Sequence, residues 1–594
     1  MSEVQKHVWL NGNEFPIKGF IDEFNVNPWQ PSFDTGEKKV STHRPLDSWV
    51  IGPLQGGMGK EKWEEPNRYW YAENVDCSRE YMTLGPLVST KGTFGVAANK
   101  LIYSQTKVWA IGDEQISYWG GSSWTSAEPS GGLSDPTDAC VYYDSTNGEC
   151  LVVGSAADGI YETHDAGSNW TQIESSDASY LAEFENRLCA VANSNTGFFY
   201  SADGDIATAW TEQSGYPLLP SAATKLITAK DPNDDPILYV ITNQGMWALD
   251  VYDNFYQYKT EFQWARDSTA GKAALYAKGC IYVPAGGTRL LKIDGGVVTE
   301  WGPDDDDGLI ENHQGNIVDM TIAGYWVIIA IDGGGGASAK SSILKRHITK
   351  GKWHCVYTTA ATARLHSLCW DDGTLWFGED TNVKSLPLSS KTDNYKHLST
   401  HTYSASGDLY TEWFSSPFED MTKTAHELWC KSEDMNYAQK VNAYYRRDDD
   451  DSWTALGTFN LSPKDTRLPF GANNKGVTFE RIQFKFSFAR GSTTTNSPKV
   501  ERFTFKYRVN PPYLEGWTFR VPLEDDETYG MGETLISRLK TAAATETLLE
   551  FYPRGKIKGE TAKYVEVQSL LIRDRDTSRG QFGEAVVRVG EVVS

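Results

Sequence analysis

The stretch YETHDAGSNWTQ, residues 161–172, decides the fold prediction for this chain. It sets a hydroxyl, a carboxylate, a glycine and an indole at fixed spacing, at Thr163, Asp165, Gly167 and Trp170. The carboxylate and the hydroxyl can bond to turn amides, the glycine can take a φ that a Cβ would forbid, and the indole can pack beneath the turn. The stretch therefore predicts a strand–turn–strand unit held by its own side chains, with no catalytic role for these four residues.

Weaker copies of this unit recur along residues 90–395. SADGDIATAW offers Ser201, Asp203, Gly204 and Trp210, and SYWGGSSW is a fainter echo. Each unit contains short β-strands and closes near an aromatic residue; the closing aromatics are Trp124, Trp170, Trp210, Trp264, Trp301, Trp353 and Tyr395. Their mean spacing of about 45 residues falls within the ~40–50 residues of a four-stranded propeller blade. We predict a seven-bladed β-propeller, with six or eight blades, or a row of unrelated hairpins, as alternatives.

Shifts in composition divide this mainly β chain into four segments. Residues 1–86 are rich in Pro, Gly and charge and predict an extended arm that neighbouring subunits hold. Residues 87–398 contain the repeat and form the predicted propeller. Residues 399–510 include RIQFKFSF and RFTFKYRV, whose alternation predicts a jelly-roll-like β-sandwich. Residues 511–594 place the helical stretch GETLISRLKTAA among strands and predict a small β-α-β-β-β assembly module.

Charge and apolar runs exclude several classes of partner. The 594 residues carry a formal charge of −23, and such an acidic surface repels nucleic acid. The strongest apolar run, YWVIIAI at residues 325–331, is far shorter than the ~20 residues that span a bilayer, so no membrane insertion is expected. The N-terminal residues show no basic stretch followed by an apolar core, so no signal peptide is predicted.

The eight cysteines form no C-x-x-C pair, so we expect buried thiols and neither metal nor cofactor.

Motifs for catalysis or ion binding are weak. No G-x-S-x-G is present, and His164 is expected to be a solvent-facing turn residue. The aspartate runs at residues 304–307 and 448–451 lack the alternating spacing of a calcium loop, and IDGGGGASAK lacks the pattern of a phosphate loop. We therefore predict solvated loops at these places and no enzyme activity.

Exposed aromatic residues are the remaining candidates for contact with a ligand. Aromatic faces stack on sugars and on protein partners, and blade packing is the alternative role. The candidates are Tyr118, Trp119, Trp124, Tyr252, Phe255, Tyr256 and Tyr258.

The spacing of Thr163, Asp165, Gly167 and Trp170 resembles the Asp-box of sialidase-like propellers. In those families the box lies on the blade periphery and is structural, so the resemblance implies a fold and no catalytic site. Sialidases also need an F-R-I-P-like strand and three arginines around a carboxylate. This chain contains no F-R-I-P and few arginines in its repeat region.

Three other stretches resemble large virion proteins of tailed bacteriophages: RYWYAENVDCSREYMTLGP, TNSPKVERFTFKYRV, and YVEVQSLLIRDRD with AVVRVGEV. The resemblance implies a structural virion protein, assembled in the host cytoplasm and associated with the tail, baseplate or tail tip. Its implied partners are other virion proteins, copies of itself in a symmetric homo-oligomeric ring, and a host-surface glycan or protein. We expect the propeller to be a rigid display platform with nothing reactive at its hub. Alternatives are a propeller-type glycoside hydrolase and a secreted carbohydrate-binding protein.

Overall fold

The computed structural model describes most of the chain. The described residues are 7–18, 21–26, 46–62, 65, 67–144, 147–192, 197–202, 204, 206, 210–212, 221–231, 233–258, 267–303, 309, 314–371, 373–389, 401–415, 421–448, 450–462, 466–509, 514–524, 532–545, 547–556, 561–577 and 580–591. Trp264, Tyr395, Asp203 and the aspartate run 304–307 lie outside them. No helix in these ranges has the length and apolar character needed to cross a membrane.

The strands that precede the propeller belong to several different sheets. They are β1 (His7–Leu10), β2 (Asn13–Pro16), β3 (Asp22–Val26), β4 (Asp47–Ile51), β5 (Gly57–Met58), β6 (Arg68–Tyr69), β7 (Tyr71–Glu73), β8 (Val75–Asp76) and β9 (Thr83–Leu84). Strands β5 and β6 pair with each other, as do β8 and β9, whereas the other five complete sheets formed by later parts of the chain. The prediction of a separate arm over residues 1–86 is therefore wrong for these strands. Their backbone groups pair within the same chain, which covers sheet edges that would otherwise be exposed.

Seven four-stranded antiparallel sheets follow, and the predicted seven-bladed propeller is confirmed. Strand β10 (Ser89–Thr93) comes first. Blades 1, 2 and 3 are, in turn, β11 (Lys100–Ser104), β12 (Lys107–Gly112), β13 (Gln115–Trp119) and β14 (Trp124–Ser126); β15 (Pro136–Asp144), β16 (Gly148–Ser155), β17 (Gly159–Thr163) and β18 (Thr171–Glu174); and β19 (Ala178–Phe184), β20 (Arg187–Ala192), β21 (Phe198–Tyr200) and β22 (Thr211–Glu212). Blades 4, 5 and 6 are β23 (Ala223–Lys230), β24 (Pro236–Thr242), β25 (Met246–Leu249) and β26 (Phe255–Tyr258); β27 (Leu275–Ala277), β28 (Cys280–Pro284), β29 (Leu290–Asp294) and β30 (Val297–Glu300); and β31 (Asn316–Ala323), β32 (Trp326–Asp332), β33 (Ser342–His347) and β34 (His354–Thr358). Blade 7 consists of β35 (Leu365–Asp371), β36 (Thr374–Glu379) and β37 (Asn382–Pro387) together with β10.

The ring is closed and packed by apolar side chains. Strand β10 pairs with β37, so a strand from before blade 1 supplies the outermost strand of blade 7. The strongest apolar run of the sequence lies in β32, which is buried along its whole length. Ile328 of this strand packs with Phe377 of blade 7. Burial of such side chains between adjacent sheets contributes about 25 cal/mol per Å² of apolar surface.

A β-sandwich follows the propeller. Its strands are β38 (Ser406–Tyr410), β39 (Lys423–Glu433), β40 (Lys440–Arg447), β41 (Thr454–Phe459), β42 (Thr466–Pro469), β43 (Val477–Phe479), β44 (Ile482–Ala489) and β45 (Lys499–Val509), with a short 3₁₀-helix at Ala472–Asn474. One sheet has the order β41-β40-β44-β38-β7, and the other has β4-β45-β39-β42 with β43 also on β39. The predicted alternation in β44 places Phe484, Phe486 and Phe488 inside. The rings of Phe486 and Phe503 stack with centroids 3.8 Å apart, which joins the two sheets.

The last segment has the predicted order of elements. It contains β46 (Leu514–Pro522), α1 (Gly532–Ala543), β47 (Leu549–Tyr552), β48 (Lys563–Thr577) and β49 (Gly580–Glu591). These strands form a seven-stranded sheet with β1, β2 and β3, in the order β2-β1-β47-β48-β49-β46-β3. Leu535 and Leu539 of α1 are buried in the same core as Val587 and Val589. This sheet and its helix form one compact unit from residues 1–45 and 509–594, and residues 46–508 form the other.

The chain is nested. In sequence order, the propeller strands come between the two sets of sandwich strands, and both come between the two sets of strands that form the seven-stranded sheet. The segment that enters the propeller and the segment that leaves it are hydrogen-bonded to each other. Leu87 N donates to Thr402 O (2.8 Å), and Ser404 N donates to Gly85 O (2.9 Å).

A buried ion pair joins the segment before the propeller to blade 6. Lys345 Nζ lies 3.0 Å from Asp76 Oδ2, and the two side chains are only 3% and 5% exposed. Burial alone would raise the pKa of Asp76, but Lys345 and Arg79 outweigh it and hold that pKa well below its usual range. Nearby, burial lowers the pKa of His354 to about 3, so this histidine is neutral around pH 7.

Candidate functional site

A cavity of about 370 Å³ lies at the hub of the propeller. The first strands of the blades, from β11 to β35, contact one another in sequence and close a ring around it. Its cationic lining residues are Lys100, Lys225, Lys272 and Arg364. Its acidic lining residues are Asp138, Asp319 and Asp332. The hub is therefore rich in ionisable groups, and the expectation of a hub with nothing reactive was wrong in this respect.

Asp138 and Asp319 occupy equivalent positions in blades 2 and 6. Their strands shift register just before each aspartate, and such a β-bulge changes the direction of a side chain. Asp138 Oδ2 accepts a hydrogen bond from Leu181 N (3.2 Å) in blade 3. Asp319 Oδ2 accepts one from Leu368 N (2.7 Å) in blade 7. Each carboxylate thus bonds to the innermost strand of the following blade.

Two lysines set the electrostatics of these carboxylates. Lys100 Nζ lies 2.9 Å from Asp138 Oδ1, and Lys225 Nζ lies 3.8 Å from the same oxygen. Burial alone would raise the pKa of Asp138, but the two lysines outweigh it and lower that pKa. Burial raises the pKa of Asp319, which the same lysines offset only in part. Burial also lowers the pKa of Lys225.

Of the remaining charged lining residues, Lys272 and Arg364 are exposed, whereas Asp332 is only 4% exposed. Arg364 donates to Asp332 Oδ2 from Nε (3.1 Å) and Nη2 (2.7 Å), and its side chain is 54% exposed. Burial lowers the pKa of His366, so this ring is neutral around pH 7. The lining therefore carries four cationic side chains against three carboxyl groups, in a chain whose formal charge is −23. This local balance suits an anionic ligand.

These hub residues were not predicted from the sequence. Aligning the first strands of the blades would have found them, because Asp138, Tyr180, Lys225 and Asp319 each follow the residue at which the register shifts. Four of the blades contribute one such residue each, so no single stretch of sequence contains the cluster.

The motif at residues 161–172 forms the turn between β17 and β18. Thr163 Oγ1 accepts a hydrogen bond from Gly167 N (3.0 Å), and Asp165 Oδ1 accepts one from Asn169 N (2.8 Å). The Asn169 N–H lowers the pKa of Asp165. Trp170 Nε1 donates to Ala127 O (2.9 Å), so the motif fastens blade 2 to the segment that follows blade 1. These contacts give the motif a structural role.

Gly167 is the position in the motif that leaves no room for a side chain. Its φ is +84°, and a Cβ there would lie 2.6 Å from Ala127 Cβ and 3.0 Å from the Trp109 ring. We expect Gly167→Ala to lower the free energy of unfolding by about 2–4 kcal/mol through backbone strain and overpacking. Gly148 is a matched control in the same blade, because its φ is +80° and none of the residues that the structure describes lies within 4 Å of its Cβ position. Gly148→Ala should cost only about 1–2 kcal/mol in urea denaturation; equal losses for both variants would contradict this account.

The candidate aromatics of blade 1 are packed. Lys107 Nζ lies 3.4 Å above the ring of Tyr118. Trp119 lies edge-to-face against Trp124 at 5.6 Å, and tilted against Trp376 of blade 7 at 5.9 Å. These contacts correspond to the blade-packing alternative.

The candidate aromatics of blade 4 divide into two kinds. Phe255 stacks on Trp247 with ring centroids 5.3 Å apart, and Tyr258 lies edge-to-face on Tyr239 at 5.0 Å. Tyr252 and Tyr256 are 79% and 41% exposed. Blades 1 and 4 are not neighbours, so the structure does not bring the two groups into one site.

Two earlier expectations about single residues change. His164 is not a solvent-facing turn residue: it is half-buried, with Nε2 3.3 Å from Glu162 Oε2. Glu162, His164 and Cys150 form a group that could hold a metal ion. Asp448, in the second aspartate run, accepts hydrogen bonds at Oδ1 from Glu480 N (2.7 Å) and Arg481 N (3.2 Å), and so stabilises its loop.

Comparison with known proteins yields similar structures only. No protein-family model and no curated protein matches this sequence. A streptogramin B lyase structure matches 51% of this chain and 98% of its own, at 13% identity and a TM-score of 0.39. The GH74 xyloglucanase from Xanthomonas campestris matches 52% of this chain and 55% of its own, at 12% identity and a TM-score of 0.38. The WD40 β-propeller domain of Doa1 matches 51% and 96%, at 11% identity and a TM-score of 0.36. The assignment of this chain as a seven-bladed propeller protein follows from its own seven sheets.

Proposed function

We propose that this chain is a structural virion protein of a tailed bacteriophage, associated with the tail or tail tip, whose propeller hub binds an acidic glycan on the host surface. The observation that carries the binding role is the hub cavity, whose lining sets four cationic side chains against three carboxyl groups inside an acidic protein. The virion assignment is supported by the three stretches that resemble phage virion proteins. Its partners would be other virion proteins and copies of itself in a ring.

The neutral lining of the cavity also suits a sugar. Thr137, Thr224, Thr269 and Asn316 also line the cavity, and their side-chain oxygens offer acceptors for sugar hydroxyls. Lysine and arginine would pair with a carboxylate or phosphate of the glycan by charge-assisted hydrogen bonds. A rigid ring of blades holds these groups in place before the ligand arrives, which lowers the ordering cost of binding.

The glycan-binding proposal predicts a selective loss in hub variants. We expect Lys225→Met to weaken binding of acidic oligosaccharides by at least about tenfold, because one charge-assisted hydrogen bond contributes about 1.5–3 kcal/mol. Lys230→Met is the matched control, since Lys230 lies at the other end of the same strand and is 51% exposed. Binding would be measured by isothermal titration against acidic and neutral oligosaccharides from the host envelope. Equal affinity for both classes, or an equal loss in both variants, would contradict the proposal.

The virion assignment has its own test. Gold-labelled antibodies against the purified chain should decorate the tail or tail tip of native particles in electron micrographs. The purified chain should also compete with particles for adsorption to host cells. Label confined to the capsid, or found only on the producing cell, would overturn this assignment without affecting the glycan experiment.

One observation favours a second function, glycoside hydrolysis. Asp138 and Asp319 line one cavity, and their pKa values move in opposite directions, as in pairs that supply an acid and a base. Against this, Asp319 already accepts amide hydrogen bonds at both oxygens, from Met320 and from Leu368. Turnover of a glycan panel that is abolished by Asp319→Asn would favour the hydrolase over the binding protein.

A further inference from the structure

The two sides of the motif strand carry different chemistry. Along β17 and into the turn, Thr163 and Asp165 alternate with Glu162 and His164, and alternate residues of a strand point to opposite faces. Thr163 and Asp165 hold the turn. Glu162 pairs with Val152, whose side chain packs towards blade 3, so Glu162 lies on that face.

Strand register adds a cysteine to this face. Between β16 and β17, Leu151 lies opposite Thr163 and Val152 lies opposite Glu162. One further step in the same register places Cys150 opposite His164, and directly opposed residues share a face. The thiol, the carboxylate and the imidazole offer ligand atoms that all lie within 4.8 Å of one another.

The three candidate ligands are largely shielded from solvent. Cys150 is fully buried and Glu162 is 8% exposed. Both ring nitrogens of His164 are buried and make no hydrogen bond to any residue that the structure describes. A buried imidazole normally has a hydrogen-bond partner or a metal, and here its Nε2 lies 3.3 Å from a carboxylate oxygen. That separation is typical of two ligands on one ion.

We propose that Cys150, Glu162 and His164 bind one Zn²⁺, with water as the fourth ligand. Zinc takes thiolate sulfur, imidazole nitrogen and carboxylate oxygen in tetrahedral sites, and this donor set matches that preference. The ion would fasten β16 to β17 at the start of the motif turn. The absence of a C-x-x-C pair did not predict a metal site, because these three ligands come from two strands and include only one cysteine.

Zinc binding would be measured on the whole chain. The protein is first stripped with a chelator and dialysed, then titrated with Zn²⁺ in competition with a chromophoric indicator. We expect one tightly bound equivalent. Titration with Co²⁺ should produce a thiolate-to-cobalt charge-transfer band, which reports that a cysteine is a ligand. Cys150→Ser, Glu162→Gln and His164→Gln should each weaken binding of that equivalent by about 100-fold or more, since even the loss of a group that only supports a ligand costs about 10–100-fold.

Cys189→Ser is the matched control, because Cys189 is a buried thiol in the neighbouring blade. It should leave both the affinity and the cobalt band unchanged. The proposal is overturned if the stripped protein takes up no stoichiometric Zn²⁺, if the cobalt complex lacks the band, or if Glu162→Gln and His164→Gln bind as tightly as the parent. Circular dichroism identifies any variant that fails to fold, and the two polar replacements keep the test decisive if Cys150→Ser is such a case.

Discussion

Replacement of Lys345 by methionine is expected to lower the free energy of unfolding by about 3–5 kcal/mol, the cost of leaving a buried charge without its partner. Asp76 would keep its carboxylate in a site that is 5% exposed, where Ser78 donates hydrogen bonds from its N–H and Oγ and Arg79 supplies the remaining positive charge. The pair also lies beside the ring of Trp326, which offers no ionic partner. Urea denaturation followed by tryptophan fluorescence would measure the loss.

The effect of Lys345→Met should depend on pH in a defined direction. The folded pKa of Asp76 lies below its unfolded value of about 3.9, so the pair stabilises the protein above that pH and loses its contribution as pH falls. Without Lys345, burial is opposed only by Arg79 and Ser78, so the pKa of Asp76 should rise relative to the parent and the difference between variant and parent should shrink on acidification. The double variant Asp76→Asn, Lys345→Met should recover much of the loss at pH 7. A loss that is constant with pH, or additive in the double variant, would refute the ion-pair explanation.

Trp109→Ala is expected to have an effect of similar size, about 3–5 kcal/mol, because it leaves a large cavity in a packed core. The side chain is fully buried, and its ring lies edge-to-face against Tyr118 at 5.3 Å and Trp170 at 6.4 Å. It thus supports the motif turn from blade 1. Hydrogen exchange of the amides at residues 164–169 should accelerate along with the loss of stability.

The variant Trp109→Phe distinguishes the contribution of the side-chain volume from that of the hydrogen bond. Phenylalanine fills most of the space but removes the bond from Trp109 Nε1 to Ser104 O (3.1 Å). It should therefore cost only about 1–2 kcal/mol. If phenylalanine were as damaging as alanine, the hydrogen bond and not the packing would be the main contribution of this residue.

Local spacing was enough to predict the propeller. Trp124 begins β14, and Trp170 and Trp353 directly precede β18 and β34, so the aromatic spacing follows the outermost strands of their blades. The closure of the ring was not predicted, because Ser89 pairs with Ser385 and no local pattern encodes a partner so distant. The strands of residues 1–86 were misjudged for the same reason: they are short, and the partners of β1, β3, β4 and β7 include strands hundreds of residues later.

The hub residues and the metal-binding group could not be predicted from the sequence, because both depend on the register in which the strands pair. In the sequence, Asp138 and Asp319 have the pattern of polar residues in alternating strands. In the structure, a β-bulge precedes each of them, and both side chains line the hub cavity. Cys150 and His164 meet only through the pairing of β16 with β17. By contrast, the glycine and hydroxyl chemistry of the motif acts within five residues, so its contacts follow from the sequence alone.

The nested path of the chain imposes an order on biosynthesis. Leu10 pairs with Phe551, so β1 leaves the ribosome long before its partner exists, and the propeller and the sandwich are made in the interval. A chain interrupted anywhere after the propeller would therefore carry a closed ring of blades but bare strand edges at its beginning, which promote aggregation and attract proteases. We therefore expect incomplete chains to be degraded faster than the full-length protein.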